Sequence, residues 1–269
     1  MEVVDQGVFV RAWAVQTRRV AWLLGAGASA AAGLPTATQI RDDLLLRLFA
    51  ERHGLLRENL HPNDPKVASD LREYFDGRND MVPFGSQDDY SSAFELVLKD
   101  EPARHRYLRD KLDGKQPSYG QRVLGALVSG GQADVLVTTN FDELLERAAA
   151  DAYAAVNAPA DRRLLNTAAL GSRDRARAVL EPDALPLLIK LHGDFRESAL
   201  KNLAAELAEQ DSVLLQAVKD LSRTYGLAVV GYSGRDDSVN RPGMSGDSVP
   251  WEGWSHVREY VEEVPGRAA

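Results

Sequence analysis

The stretch Val20–Pro35, VAWLLGAGASAAAGLP, indicates the fold more strongly than any other part of the sequence. An apolar run ends abruptly in glycines and other small residues. This pattern predicts a buried β-strand followed by a tight turn, because glycine lets the backbone bend sharply and approach a ligand closely. A helix that begins just after such a turn directs N–H groups towards a phosphate. A plain strand-to-helix turn is the alternative interpretation.

Two common nucleotide-binding patterns do not fit this stretch. Five residues separate Gly27 from Gly33, whereas the dinucleotide fingerprint of dehydrogenases has the spacing G-x-G-x-x-G. A P-loop is not predicted either, because no Gly-Lys-Ser or Gly-Lys-Thr follows the glycines.

Three further apolar runs predict buried strands, at Asp134–Thr139, Leu185–His192 and Leu227–Ser233. Each run is almost continuously apolar, as is typical of parallel strands covered on both faces of the sheet. Helix-like patterns alternate with the strands along the chain. The sequence therefore predicts a Rossmann-like α/β fold with a doubly wound parallel sheet.

The helical segments have recognisable ends. A helix is predicted over Thr36–Gly54, which starts with threonines suited to capping, and another directly follows the second strand at Phe141–Val156. The pattern of Glu197–Gly226 fits one long helix or two shorter ones, closed by Gly226 before the fourth strand. Residues from about 55 to 131 are predicted to form a mainly helical insertion, and Asn157–Asp183 a loop-rich segment.

Composition narrows the possible functions. Of the 269 residues, 44% are hydrophobic, and the formal net charge is -8, so direct nucleic-acid binding is not expected. The absence of cysteine excludes disulfides, thiol catalysis and cysteine-ligated zinc. We expect a cytoplasmic protein, because the sequence shows neither a signal peptide nor an apolar run of membrane-spanning length.

Polar or glycine residues follow each of the four predicted strands, at the edge of a parallel sheet where ligands bind. Three of these residues are candidates for chemistry. Asn140 has both a donor and an acceptor and can position a water or a sugar hydroxyl. Asp142 can stabilise a developing cation or activate water, and His192 can act as a general base near neutral pH.

Each of these candidates also has a structural interpretation. Asp142 directly precedes ELLERAA and suits a helix N-cap. His192 can be a hydrogen-bonded histidine at the end of a strand. Asp236 and Asp237 can cap a following helix or bond a ribose.

Four stretches, in this order, resemble the sirtuin-like (SIR2-like) superfamily. GAGASAAAGLP resembles its first NAD-binding loop, and TTNFD resembles its Thr-Gln-Asn-Ile-Asp motif. KLHG resembles its catalytic histidine-glycine, and VVGYSGRD resembles the nucleotide-binding Gly-Thr-Ser motif. The resemblance implies a SIR2-like NAD-binding domain over residues 1–239. Residues 240–269 contain Gly, Pro and Trp with few aliphatic residues and are expected to form an atypical tail.

The resemblance also implies which residues bind and react. The catalytic residues would be Asn140, Asp142 and His192. The residues that bind NAD would be Gly25, Ala26, Gly27, Ser29, Pro35, Thr139, Gly193, Gly231, Ser233 and Asp236. NAD would be the substrate, and no metal would be needed.

Departures from the family pattern make one activity more plausible than the others. Protein-deacylating sirtuins have a four-cysteine zinc module, which this chain lacks. TTNFD and GYSGRD are instead similar to a divergent bacterial branch found in anti-phage defence, where such domains resemble NAD hydrolases. The expected function is therefore cleavage of the nicotinamide–ribose bond. A non-catalytic module that binds NAD or ADP-ribose is the main alternative, and a protein deacylase or an ADP-ribosyltransferase is less favoured.

The expected partners follow from the same resemblance. Relatives of this kind work with a partner sensor protein or as homo-oligomers. No direct contact with nucleic acid or with a membrane is expected.

Overall fold

The computed structural model describes residues 6–16, 20–61, 64–76, 78, 80–84, 86, 88–155, 164–178, 181–195 and 212–232. The strands are β1 Val20–Leu24, β2 Val135–Thr138, β3 Asn166–Ala168, β4 Leu187–Lys190 and β5 Gly226–Val230. The helices are α1 Gln6–Gln16, α2 Gly27–Ala30, α3 Ala37–His53, α4 Pro65–Phe75, α5 Asp89–Val97, α6 Glu101–Leu112, α7 Tyr119–Ser129, α8 Leu144–Ala155 and α9 Ser212–Ser222. Short 3-10 segments lie at Arg57–Asn59, Leu170–Ala178 and Pro182–Ala184. No helix among these residues is both long and apolar enough to cross a membrane.

The five strands form one parallel sheet in the order β3-β4-β2-β1-β5. This arrangement confirms the predicted Rossmann-like α/β fold and all four predicted strands, each within a few residues of its expected ends. β3 is missing from the prediction, because three residues in a segment rich in polar residues do not show a strand pattern. Gly226 was expected to close a helix; α9 instead ends at Ser222, and Gly226 begins β5.

Helices cover both faces of the sheet, which explains why its three central strands, β4, β2 and β1, are almost continuously apolar. On one face, buried Leu23, Val137 and Ile189 belong to a core that includes Val218 of α9. On the other face, Leu24, Leu136, Leu145 and Leu188 lie in a core with Leu124. Neighbouring residues of a strand therefore contribute to opposite cores, as the alternation of side chains in a strand requires.

The chain divides into two compact units. The sheet, α1, α2 and α7–α9 belong to the first unit, and residues 33–115, with α3–α6, form the second, which we call the helical unit. α3 begins with a capping box between Thr36 and Gln39 and ends at Gly54 in the left-handed conformation, which confirms the predicted ends of this helix. The wider predicted division of the chain, into residues 1–239 and 240–269, stays a prediction.

A buried aspartate on α3 ties the helical unit together. Burial disfavours ionisation of Asp43, but hydrogen bonds from Arg57, Tyr107 and Lys111 outweigh it and lower the pKa of Asp43 to about 2. A carboxyl whose pKa falls on folding stabilises the folded state above its ordinary pKa, and this contribution is lost as the pH falls towards the folded value.

We therefore expect a specific pH dependence of stability. The wild type should have a larger free energy of unfolding than Asp43→Asn. This difference should be about 1 kcal/mol smaller at pH 3 than at pH 5. Urea unfolding at both pH values measures the difference. A gap that stays constant, or widens towards pH 3, would contradict the low pKa of Asp43.

Candidate functional site

The glycine loop, residues 25–29, packs directly against the loop that follows β5. The N–H of Gly25 donates to the carbonyl of Val230 at 3.0 Å, and that of Gly27 donates to the carbonyl of Gly231 at 2.9 Å. A Cβ atom added at Gly25 would lie 2.6 Å from the carbonyl oxygen of Gly231. Gly25 and Gly27 are therefore required by the close approach of a second backbone.

The helix that follows the glycine loop is short. α2 has four residues, and the N–H of Ala28 donates to the carbonyl of Gly25 at 2.9 Å. The N–H of Gly27 donates to Gly231, and the N–H of Ser29 donates to the carbonyl of Ala26 at 3.1 Å, so the first three amides of α2 are used inside the protein. The sequence predicted a helix N-terminus directed at a phosphate, and the structure offers only this single turn.

A polar network joins residues from three distant parts of the chain: Ser29, Gln121, Asn140 and Asp142. The hydroxyl of Ser29 donates to Oδ2 of Asp142 at 2.8 Å. The same hydroxyl oxygen accepts from Nε2 of Gln121 and from Nδ2 of Asn140, both at 3.1 Å. One donated and two accepted bonds use the whole hydrogen-bonding capacity of a serine, so its position is closely defined.

Gln121 was not identified as a site residue from the sequence. It forms a capping box with Ser118 at the beginning of α7, in which Oε1 of Gln121 accepts from the backbone N–H of Ser118 at 2.8 Å. This bond leaves the Nε2 atom of Gln121 directed at Ser29. The S-x-x-Q pattern signals the cap, but nothing local signals the contact with a residue 92 positions earlier.

Asn140 has one side-chain atom available to a ligand. Its Nδ2 atom donates to the carbonyl of Gly25 at 2.9 Å and to Ser29, which uses both N–H bonds. Because a carbonyl can only accept, this contact also decides which terminal atom of Asn140 is the nitrogen. No residue that the structure describes donates to its Oδ1 atom, so Asn140 presents an acceptor.

Asp142 accepts a backbone hydrogen bond near the beginning of α8 and also belongs to the polar network. Its Oδ1 atom accepts from the N–H of Leu144 at 3.1 Å, at the beginning of α8. Its Oδ2 atom accepts from Ser29. The carboxylate is buried, so its negative charge acts in an environment with little screening by water.

Lys190, which was not predicted as a site residue, holds the loop that carries Asp142. This fully buried lysine ends β4 and donates to the carbonyl of Asp142 at 2.6 Å. Its Nζ atom also lies 3.0 Å from carboxylate oxygens of both Glu146 and Asp194. Burial raises the pKa of Glu146, and the charge of Lys190 opposes that rise. The sequence feature that could have indicated this role is the single lysine inside the apolar run LPLLIKLH.

His192 lies in a loop that approaches the Phe141 segment. Its side chain is buried, and its ring centroid is 6.4 Å from that of Phe141. Gly193 has a φ of 97°, a left-handed conformation that favours glycine. The N–H of Phe195 donates to the carbonyl of Phe141 at 3.1 Å. These contacts bring the loop that follows β2 and the loop that follows β4 together.

A largely apolar cavity of about 200 Å³ adjoins the polar network. It is lined by Trp22, Leu24, Ala28, Ser29, Gly120, Gln121, Val123, Leu124, Leu127, Thr138, Asn140, Asp142, Leu145, Glu146, Leu188 and Val230. All four network residues therefore lie on its wall. An apolar cavity with a few convergent polar groups is the usual form of a small-molecule site.

The predicted site residues fall into three groups. The structure brings together Gly25, Gly27, Ser29, Asn140, Asp142 and Gly231, and it places Ala26, Thr139, His192 and Gly193 in the adjoining loops. Pro35 belongs to the helical unit. Ser233 and Asp236 lie outside the described residues. The roles assigned to all of these residues stay predictions.

Comparison with known protein families gives a match over part of the chain. Residues 134–242 match the SIR2-like domain family. The match contains TTNFD, KLHG and VVGYSGRD, and it covers fewer than half of the residues. The glycine loop lies outside it and is joined to the matched part by the contacts described above.

A short segment is similar to a curated protein. Over 33 residues, which are 12% of this chain, it is 67% identical to the probable transport accessory protein MmpS1 of Mycobacterium tuberculosis. The aligned segment spans 22% of that protein's length.

Proposed function

We propose that the chain is an NAD glycohydrolase, because its residues 134–242 match the SIR2-like domain family, whose domains bind NAD. The reaction consumes NAD and water and yields nicotinamide, ADP-ribose and a proton. One observation carries the proposal. Side chains that follow different strands, Ser29, Asn140 and Asp142, form a single hydrogen-bonded network on the wall of an apolar cavity.

The network suits cleavage of a glycosidic bond. When the bond between ribose C1′ and the nicotinamide nitrogen breaks, its electron pair leaves with nicotinamide and positive charge develops on the ribose. The buried carboxylate of Asp142 is expected to stabilise that charge. The free Oδ1 atom of Asn140 can accept from a ribose hydroxyl or from the attacking water, and His192 is expected to take the proton that water loses.

A second candidate function is binding of NAD or ADP-ribose without turnover. The observation that favours it is the internal saturation of the network: both N–H bonds of Asn140 and the hydroxyl of Ser29 are committed to protein groups. A network whose donors are already paired with protein groups can serve mainly to shape a pocket.

The two candidates are separated by incubating the chain with NAD and following nicotinamide release by chromatography. We expect turnover in the wild type and a loss of about 100-fold or more in kcat for Asn140→Ala and for His192→Ala. Asn59 and His61 are exposed residues of the helical unit, so Asn59→Ala and His61→Ala are matched controls that should keep full activity.

Each outcome of this assay has a clear meaning. Turnover that survives in both site variants would show that the assignment of Asn140 and His192 is wrong. Calorimetric binding of NAD without nicotinamide release would favour the binding module. Absence of both binding and turnover would reject NAD as the substrate.

We further propose that this activity serves anti-phage defence, with a partner sensor protein or a homo-oligomer controlling it. The support is the resemblance of TTNFD and GYSGRD to the divergent bacterial branch. The departure of the chain from zinc-containing deacylases agrees with this proposal, since the peptide cleft of those enzymes is built partly by the zinc module.

A further inference from the structure

Three cationic side chains of the helical unit share one carboxylate. The Oδ1 atom of Asp43 lies 2.6 Å from Nη2 of Arg57. Its Oδ2 atom lies 3.1 Å from Nζ of Lys111 and 3.3 Å from Nε of Arg47. Because the last two contact the same oxygen, they are no more than 6.4 Å apart. One negative charge thus faces three positive charges, and two positive charges are left without a counter-charge among the described residues.

These cations keep donors that Asp43 does not use. The Nη atoms of Arg47 and two N–H bonds of Lys111 have no hydrogen-bond partner in the part of the chain that the structure describes. The side chains of Arg47, Arg57 and Lys111 are 46, 36 and 32% exposed, so a solute can reach them.

The cations are also held in place before any ligand binds. The guanidinium carbon of Arg47 lies 4.8 Å from the ring centroid of Tyr107, and Nζ of Lys111 lies 5.4 Å from the same centroid. The hydroxyl of Tyr107 donates to Asp43 at 2.8 Å, which fixes that ring. Binding therefore costs less side-chain entropy than it would with freely moving surface residues.

We propose that Arg47, Arg57 and Lys111 form a binding site for the terminal phosphate of a phosphorylated small molecule. A phosphate monoester carries almost two negative charges at neutral pH, which matches the two positive charges that Asp43 leaves unbalanced. Guanidinium groups also match the geometry of phosphate oxygens. A phosphodiester of nucleic acid carries one charge per phosphate, and the net charge of -8 disfavours a polyanion. The site is independent of the proposed NAD chemistry.

Calorimetric titration of the full chain with inorganic phosphate, in a buffer free of other multivalent anions, tests the proposal. We expect one site per chain in the wild type and at least tenfold weaker binding in Arg47→Ala and in Lys111→Ala. Arg106→Ala removes an exposed cation from the same helix as Lys111 and should leave the affinity within twofold of the wild type.

A variant with the opposite expected sign distinguishes a ligand site from a purely structural cluster. Asp43→Asn removes the negative charge that competes for the three cations but keeps an oxygen that can accept from Tyr107, so phosphate should bind at least threefold more tightly. Cations that serve only to neutralise Asp43 would give no phosphate binding in the wild type. That result would overturn the proposal, as would equal losses in Arg47→Ala and Arg106→Ala.

Discussion

Replacement of Lys190 by methionine is expected to lower the free energy of unfolding by about 3–5 kcal/mol. Methionine fills a similar volume, so little of this loss comes from a cavity. The loss arises because Glu146 and Asp194, which share the Nζ atom of Lys190, stay buried without their cation. The carbonyl of Asp142 loses its 2.6 Å hydrogen bond at the same time.

Urea unfolding followed by far-ultraviolet circular dichroism measures this loss. Lys66→Met, at an exposed position of α4, is the matched control and should change stability by less than about 0.5 kcal/mol. Adding Glu146→Gln to Lys190→Met should restore part of the stability, because one of the two uncompensated carboxylates becomes neutral. A cost below about 1 kcal/mol for Lys190→Met would show that the cluster is not an essential ionic contact.

Replacement of Gly231 by alanine is expected to cost about 2–5 kcal/mol, from two sources. Its φ of 63° is left-handed, which penalises any residue with a Cβ atom. The added Cβ would also lie 2.1 Å from the amide nitrogen of Ala28 and 2.5 Å from the carbonyl carbon of Gly27. Both neighbours are backbone atoms, so relief of the overlap requires the loops after β1 and β5 to separate.

Gly54→Ala separates these two sources. Gly54 has a φ of 62°, and a Cβ atom there would meet nothing within 4 Å. It should therefore show only the conformational cost, about 1–2 kcal/mol. If Gly231→Ala and Gly54→Ala destabilise the protein equally, the close approach of the two loops does not contribute to stability. If Gly231→Ala loses nicotinamide release and Gly54→Ala keeps it, the close approach of the two loops is linked to the NAD binding proposed for the glycine loop.

Much of the fold could be predicted because its signals are local. A continuous apolar run marks a strand buried on both faces. Thr36 and Gly54 mark the ends of α3, because each forms hydrogen bonds with the backbone of nearby residues in that helix. The short strand Asn166–Ala168 escaped prediction because it depends on its neighbour β4, with which it pairs, rather than on its own residue types.

The site was predictable only as a set of separate loops. The sequence selected Ser29, Asn140 and Asp142, since polar residues that follow parallel strands lie at one edge of a sheet. It did not select Gln121 or Lys190, because a capping glutamine and a lysine in a strand acquire their roles from partners far along the chain.

Local residue patterns were thus sufficient for the class of fold, the four apolar strands and the capped ends of α3, since an apolar run and a helix cap are each formed by residues within a few positions of one another. The order β3-β4-β2-β1-β5, the contact of Gly27 with Gly231 and the burial of Lys190 between two carboxylates were decided by the tertiary structure. Their energies depend on distances between segments that are remote in sequence, and those distances exist only once the sheet has assembled.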